Sequence, residues 1–169
     1  TLRDMADRLL RGATLSVATL EESRQRWQSG DQDLETGFAY AGELITGQWY
    51  GEAESVLQQL QSAHGESTYT YVLSTLLHAA AEAYTQAELN IEAALRLSPR
   101  WAALHLARAR LTARDDSGFE EALGQLDEAL ALNPALAAAQ ELKGDIYRIR
   151  GETNSAIRQY ESLLRLAPK

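Results

Sequence analysis

The sequence repeats with a period of about 34 residues, and this periodicity limits the folds open to the chain more than any other feature. The clearest copy occupies residues 137–168, where Gly151 separates two helical patterns. Ala156 and Tyr160 follow four residues apart, which places them on one side of a second helix, and Pro168 prevents that helix from continuing. The pattern therefore predicts a unit of two helices joined by a tight turn.

Three earlier copies keep the same positions when the chain is stepped back by 34, 35 and 34 residues. All four copies, including the one at 137–168, have an alanine, two apolar or aromatic residues and a helix breaker at matching positions. These are Ala53, Leu57, Leu60 and Gly65; Ala87, Ile91, Ala94 and Pro99; Ala122, Leu126, Ala129 and Pro134; and Ala156, Tyr160, Leu163 and Pro168. An aromatic residue precedes the alanine by three positions at Tyr50, Tyr84 and Phe119, with Thr153 as the exception. The extra residue of the 35-residue step fits the turn at residues 114–118, where an insertion disturbs a fold least.

This spacing resembles that of the tetratricopeptide repeat (TPR), a 34-residue helix–turn–helix unit with small residues at the helix crossing and a proline after the second helix. In the last copy the resemblance rests on Gly144, Tyr147, Gly151, Ala156, Tyr160 and Pro168. That copy departs from the family at the start of its first helix, where Gln140 and Lys143 replace the large residue and the Leu-Gly pair. The resemblance implies an all-α fold, a right-handed superhelical solenoid of antiparallel helix pairs, of the kind found in bacterial members of the family.

The length of 169 residues accommodates five such units and no further domain. We predict one solenoid domain over residues 1–169, with an irregular segment at 1–33 and repeats at 34–67, 68–102, 103–136 and 137–169. The chain begins inside a helical pattern and stops one residue after Pro168. We interpret it as a segment of a longer protein.

The N-terminal segment has an amphipathic pattern, in which apolar residues recur at intervals of three and four at Leu2, Met5, Leu9, Ala13, Val17 and Leu20. Two interpretations remain open: either Gly12 marks the turn of a degenerate repeat, or one long capping helix continues to Trp27. The break at Gly30-Asp31 maps onto His64-Gly65 after a 34-residue step, which favours the degenerate repeat. The apolar side of residues 2–27 is also a candidate surface for self-association.

Composition narrows the range of partners. The formal net charge of -8 produces a field that repels phosphate backbones, so we do not expect nucleic acid as a partner. No apolar run approaches 18 residues, so no membrane span is predicted in the segment. There are no cysteines, which excludes disulfides and thiolate chemistry. No targeting signal distinguishes a cytoplasmic from a periplasmic location.

The sequence offers little support for catalysis. His64, His78 and His105 are far apart and form neither of the pairings that helical metal sites use. We interpret His105, on an apolar helix, as a packing residue. No motif for a phosphate loop, a dinucleotide or a serine nucleophile is present. We therefore predict no enzyme activity, no cofactor and no metal.

The candidate binding residues lie on first helices, because stacked helix pairs line their inner surface with those helices and the family docks peptides there. Phe38, Tyr69, Val72 and Leu76 are large and apolar beyond what the repeat requires, and would form an apolar floor for a partner helix or strand. The alternative is that they pack against neighbouring helices.

A second candidate set is cationic. Arg110, Arg114 and Arg148 would bind carboxylates of a partner; alternatively they belong to a solvated face balanced by nearby acidic residues. Some family members hold a partner's terminal carboxylate with lysines on first helices. Lysine is absent from the first four units, which disfavours that activity.

These observations predict a protein-binding scaffold or adaptor that holds a partner peptide or helix in its groove. The resemblance implies a role in bacterial envelope assembly, such as pili, secretion or polysaccharide export. The alternative is a regulatory or substrate-presenting segment of a larger enzyme or sensor protein.

Overall fold

The computed structural model describes residues 1–13, 20–30 and 33–166, and over these residues the protein is entirely helical. Besides a short 3-10 helix at Asp116–Gly118, the described residues form ten α-helices: α1 (Leu2–Leu10), α2 (Leu20–Gln28), α3 (Leu34–Thr46), α4 (Tyr50–His64), α5 (Thr68–Ala80), α6 (Tyr84–Leu97), α7 (Ala102–Thr112), α8 (Phe119–Leu132), α9 (Ala137–Ile149) and α10 (Thr153–Leu166). The predicted all-α fold of helix pairs is confirmed. The chain divides into two compact units, Thr1–Pro99 and Arg100–Lys169.

Four helix pairs follow the repeat. In the N-terminal unit α3 packs against α4 and α5 against α6, and in the C-terminal unit α7 packs against α8 and α9 against α10. The alanine position of each repeat is buried, with exposures of 1%, 0%, 0% and 4% at Ala53, Ala87, Ala122 and Ala156. Helices that cross at a methyl group approach closely, which explains why the repeat keeps alanine there. The closing prolines at 99 and 134 follow α6 and α8, and Pro168 lies outside the described residues.

Three of the four pairs use the same turn. Its left-handed residue is Gln48 (φ 65°), Glu82 (φ 59°) or Gly151 (φ 75°). In each turn the next amide donates to a carbonyl five residues earlier, as from Trp49 N to Leu44 O at 2.8 Å. This bond satisfies a carbonyl that the helix end would otherwise leave unpaired.

The pair α7–α8 has a different turn because it contains the inserted residue. The 3-10 helix occupies the turn, and the Asp115 carboxylate accepts from the Ser117 amide at 2.9 Å. Gly118 then lies directly against the end of α7, where a β-carbon would come within 1.8 Å of the Thr112 carbonyl oxygen. The turn with the inserted residue therefore requires glycine at position 118, because there is no room for a side chain there.

The N-terminal segment departs from the repeats. α1 ends at Leu10, and Gly12 takes a left-handed conformation (φ 82°), so one long helix to Trp27 is not formed. α2 packs on α3 as a second helix packs on the following first helix. α1 instead packs on α3 and α5 and makes no comparable contact with α2. Val17 and Asp31 lie outside the described residues.

Candidate functional site

Two first helices of the N-terminal unit, α3 and α5, lie side by side and meet through aromatic rings. The Phe38 and Tyr69 rings are 6.2 Å apart between centroids and nearly perpendicular, at 88°. This edge-to-face geometry places the positive edge of one ring against the negative face of the other. Phe38, Tyr69, Val72 and Leu76 are referred to below as the α3–α5 surface.

The other sides of α3 are occupied by its neighbours in the repeat. A β-carbon on Gly37 would come within 2.5 Å of the Leu60 side chain and 2.6 Å of Trp27, so this side faces α4 and α2. Tyr40 lies on the same half of the helix, and its hydroxyl accepts a hydrogen bond from Arg24 of α2. Phe38 points away from that half, because successive residues on a helix are about 100° apart.

The same argument applies to α5. His78 Nδ1 lies 3.1 Å from the Asn90 amide nitrogen, which identifies the side of α5 that faces α6. Val72 and Leu76, four residues apart, lie on the side away from α6. Leu76 is half-buried, whereas Val72 has no exposed surface and must be covered by another element.

Helix α1 packs on both α3 and α5. Its own apolar side is buried, with exposures of 9% at Met5, 0% at Ala6, 8% at Leu9 and 2% at Leu10. Since α2, α4 and α6 occupy the remaining sides of α3 and α5, we place α1 on the α3–α5 surface. We therefore infer that a helix of the same chain covers the predicted apolar floor.

This arrangement corrects the prediction for two of the four apolar residues. Phe38 and Val72 are fully buried, so neither offers surface to a partner while α1 is in place. Their packing inside the unit is the physical reason, and it is the alternative that the sequence left open. Tyr69 and Leu76 are half-buried and keep part of their side chains accessible.

A polar cluster that sequence reasoning missed joins α2, α3 and α4. The Arg24 guanidinium donates to the Tyr40 hydroxyl at 3.1 Å and to the Glu52 carboxylate at 3.1 Å, and Tyr40 donates to Glu52. Burial raises the pKa of Tyr40, Glu52 raises it further and Arg24 opposes both. The three residues lie on three different helices, and Arg24 lies outside the repeat that contains Tyr40 and Glu52, so no repeating spacing in the sequence indicates this cluster.

A second polar group missed from the sequence is the Glu43 carboxylate on α3. Both of its oxygens are buried, and neither has a hydrogen-bond partner in the described part of the chain. Burial raises the pKa of Glu43 and the Glu22 charge adds to the rise, while the Ser23 hydroxyl lowers it in part without reaching the geometry of a hydrogen bond. A carboxylate held in this way destabilises the folded state at neutral pH.

We expect Glu43→Met to raise the free energy of unfolding at pH 7 by about 1–3 kcal/mol, the cost of a buried polar group without a partner. A folded-state pKa above the unfolded value costs stability only once the unfolded chain has lost its proton. The gain should therefore shrink as the pH falls through the raised folded-state pKa and be lost below the ordinary carboxyl value. Urea unfolding at pH 7 and about pH 4 measures both effects, with the exposed Glu54→Met as control. An equal gain from both variants would contradict the assignment.

The three candidate arginines lie in the C-terminal unit, and each already has a partner there. Arg148 lies 3.4 Å from Asp145, and Arg114 donates to the Leu111 carbonyl at 3.0 Å. Burial of the guanidinium lowers the pKa of Arg110, and the Glu141 charge opposes this shift. Each arginine side chain therefore already interacts with a carboxylate or a carbonyl group of its own chain.

The histidines at 78 and 105 have structural partners. His105 Nδ1 lies 2.9 Å from the Gln125 amide oxygen, and His78 Nδ1 lies 2.7 Å from the Ser74 carbonyl. Among the described residues, no three acidic or histidine side chains form a group that would hold a metal ion. No helix in the same part of the chain is both long enough and apolar enough to cross a bilayer.

Comparison with known proteins identifies the family. The family model for the tetratricopeptide repeat-like domain matches residues 22–168, so the chain belongs to the TPR family. TPR domains are generally modules for protein interaction rather than catalysts. No curated protein matches the chain in sequence.

Solved structures share the fold at low sequence identity. TTC0263, a thermophilic TPR protein of Thermus thermophilus, matches with a TM-score of 0.76 at 23% identity, over 89% of this chain and 82% of that one. Residues 41 to the end of MamA from Desulfovibrio magneticus RS-1 give 0.71 at 15% identity, over 98% and 92%. YrrB, described as a TPR protein with an unusual peptide-binding site, gives 0.65 at 15% identity, over 89% and 77%. The TPR solenoid class is thereby confirmed.

Proposed function

We propose that the protein is an interaction module whose α3–α5 surface binds an amphipathic helix of a protein partner. One observation carries this proposal: a helix, α1, contacts both α3 and α5 with four of its side chains buried. The surface therefore has the width and apolar character needed to hold a helix. Binding of this kind depends on apolar residues spaced by three and four positions along the ligand helix.

The surface is suited to binding a helix because its floor is rigid. Phe38 and Val72 are fully buried, which holds the floor in place before any partner arrives. The half-buried Tyr69 and Leu76 lie at its accessible edge and offer the contacts that a partner would share. A floor that is already ordered loses little conformational entropy on binding. The arginines at 110, 114 and 148 are secondary candidates, because each would have to exchange a partner that it already has.

The experiment is affinity capture from extracts of the source cell with three versions of the chain. We expect the wild type and the control Leu89→Glu to capture the same proteins, because Leu89 is 55% exposed on α6, away from the α3–α5 surface. The double variant Tyr69→Ala, Leu76→Glu should lose them. Mass spectrometry reads the result, and identical capture by the double variant would reject the proposal.

The identity of the captured protein distinguishes the two settings considered from the sequence. A component of a pilus, secretion or polysaccharide-export machine would place the module in envelope assembly. Contact with a catalytic or sensor domain of the same polypeptide would instead favour the regulatory alternative.

A further inference from the structure

Helix α1 is an addition to the repeats and not one of them. The family match begins at residue 22, inside α2, and leaves α1 outside it. α1 also departs from the pairing that the repeats share, since it packs on α3 and α5 and makes no comparable contact with α2. The helix therefore lies where a ligand of the repeats would lie, although it belongs to the same chain.

The docked state of α1 depends on the surface beneath it. A stretch of nine residues, such as Leu2–Leu10, is too short to form a stable helix in water by itself. Thr1 caps it by accepting from the Asp4 amide at 3.3 Å, but one cap does not stabilise a helix of this length by itself. Burial of its apolar side against α3 and α5 is what makes it helical. Such an element is suited to exchange with a competitor.

We propose that α1 is a resident occupant of the α3–α5 surface, which a partner displaces with an amphipathic helix of the same pattern. This proposal rests on the function proposed above and specifies the ligand. The buried side of α1 has a methyl group at Ala6 between larger side chains at Met5, Leu9 and Leu10. A partner helix should likewise have a small residue at the close contact, with leucine or methionine three or four positions away.

The affinity of the α3–α5 surface for a partner would therefore depend on how often α1 covers that surface. α1 competes as part of the same molecule, so its local concentration does not fall on dilution. The apparent affinity for a partner is reduced by the fraction of molecules in which the surface is uncovered. Detaching α1 should therefore strengthen partner binding.

The test uses the whole chain and a fluorescein-labelled, N-acetylated peptide of residues 1–13 as probe. In the variant Leu9→Asp a buried leucine becomes charged, which should release α1. We expect the peptide to bind Leu9→Asp at least about tenfold more tightly than the wild type, by anisotropy with peptide up to about 1 mM. Hydrogen exchange of residues 2–10 verifies the release, and circular dichroism verifies that the repeats remain folded.

Three further variants make the result specific. Arg3→Gln changes an exposed residue of the same helix and should behave as the wild type. Adding Leu76→Glu to Leu9→Asp should abolish peptide binding, because the charge enters the edge of the surface. Leu9→Ala should increase the affinity for the peptide less than Leu9→Asp does. If Leu9→Asp does not fold, Leu9→Ala takes its place in the test.

The failures of the two proposals are distinguishable. Equal peptide affinity for the wild type and Leu9→Asp, with α1 shown to be released, would overturn the occlusion by α1 and leave helix binding standing. Absence of binding to Leu9→Asp would overturn both. A concentration-dependent dimer of the wild type, abolished by Leu9→Asp in sedimentation, would overturn displacement by a partner in favour of exchange of α1 between copies.

Discussion

Gly118→Ala is expected to lower the free energy of unfolding by about 3 kcal/mol, at the upper end of the range for overpacking. The new methyl carbon would lie 1.8 Å from the Thr112 carbonyl oxygen and 2.7 Å from the carbonyl carbon. Both atoms are backbone atoms at the end of α7, so the clash cannot be relieved by a side-chain rotation. The end of α7 and the start of α8 must separate instead. Thermal unfolding followed by circular dichroism should show a decrease in Tm of about 6–12 °C.

The matched control is Gly124→Ala, six residues further along in α8. Apart from its two chain neighbours and the adjacent backbone of α8, no atom of the described residues lies within 4 Å of the position that its β-carbon would take. Alanine should therefore stabilise the helix by about 0.5–1 kcal/mol, because glycine loses more backbone entropy on folding. Opposite signs for the two substitutions are expected. Destabilisation by both, or by neither, would show that the inserted turn does not depend on the missing side chain.

Phe38→Ala is expected to lower the free energy of unfolding by about 3–5 kcal/mol. The ring is fully buried, and its removal would leave a cavity between α3 and α5 that the rigid helix pairs cannot close. The edge-to-face contact with Tyr69 would also be lost. Urea unfolding at constant pH measures the change. Hydrogen exchange should show faster exchange in α1, because the surface on which it packs would lose its centre.

A double-mutant cycle separates the aromatic contact from burial. Combining Phe38→Ala with Tyr69→Leu should reveal a coupling of about 0.5–1.5 kcal/mol between the two rings. Leu97→Ala is the control, since Leu97 is 56% exposed and should change stability by less than about 0.5 kcal/mol. If Phe38→Ala left stability unchanged while weakening the capture of a partner, Phe38 would be a contact residue, and its assignment to the core would be wrong.

The repeat positions could be predicted because each reflects a local requirement that recurs at a fixed interval. An alanine at a helix crossing, as at Ala87 and Ala122, and a helix breaker after the second helix, as at Pro99 and Pro134, are imposed by the geometry of one unit. Such requirements are independent of what lies outside the unit. They appear in the sequence as columns, and the all-helical fold and the family follow from them.

The candidate site was only partly predictable. The sequence marked Phe38, Tyr69, Val72 and Leu76 as apolar beyond the needs of the repeat, and the structure brings the Phe38 and Tyr69 rings into contact. It could not show that Phe38 and Val72 are covered, because burial depends on an element far away in the chain. The Arg24–Tyr40–Glu52 cluster was equally invisible, since its members meet only when three helices pack.

By itself, then, the sequence determined the repeating unit, its turns, its crossing points and the membership of the TPR family, because these follow from spacing within about 34 residues. The tertiary structure alone decided where α1 packs within the chain. The amphipathic pattern of residues 2–10 has an apolar side, but that pattern is compatible with pairing with α2, with self-association or with packing elsewhere. Only the packing of α1 on α3 and α5 selects among these, since an apolar side specifies burial and not the surface that buries it.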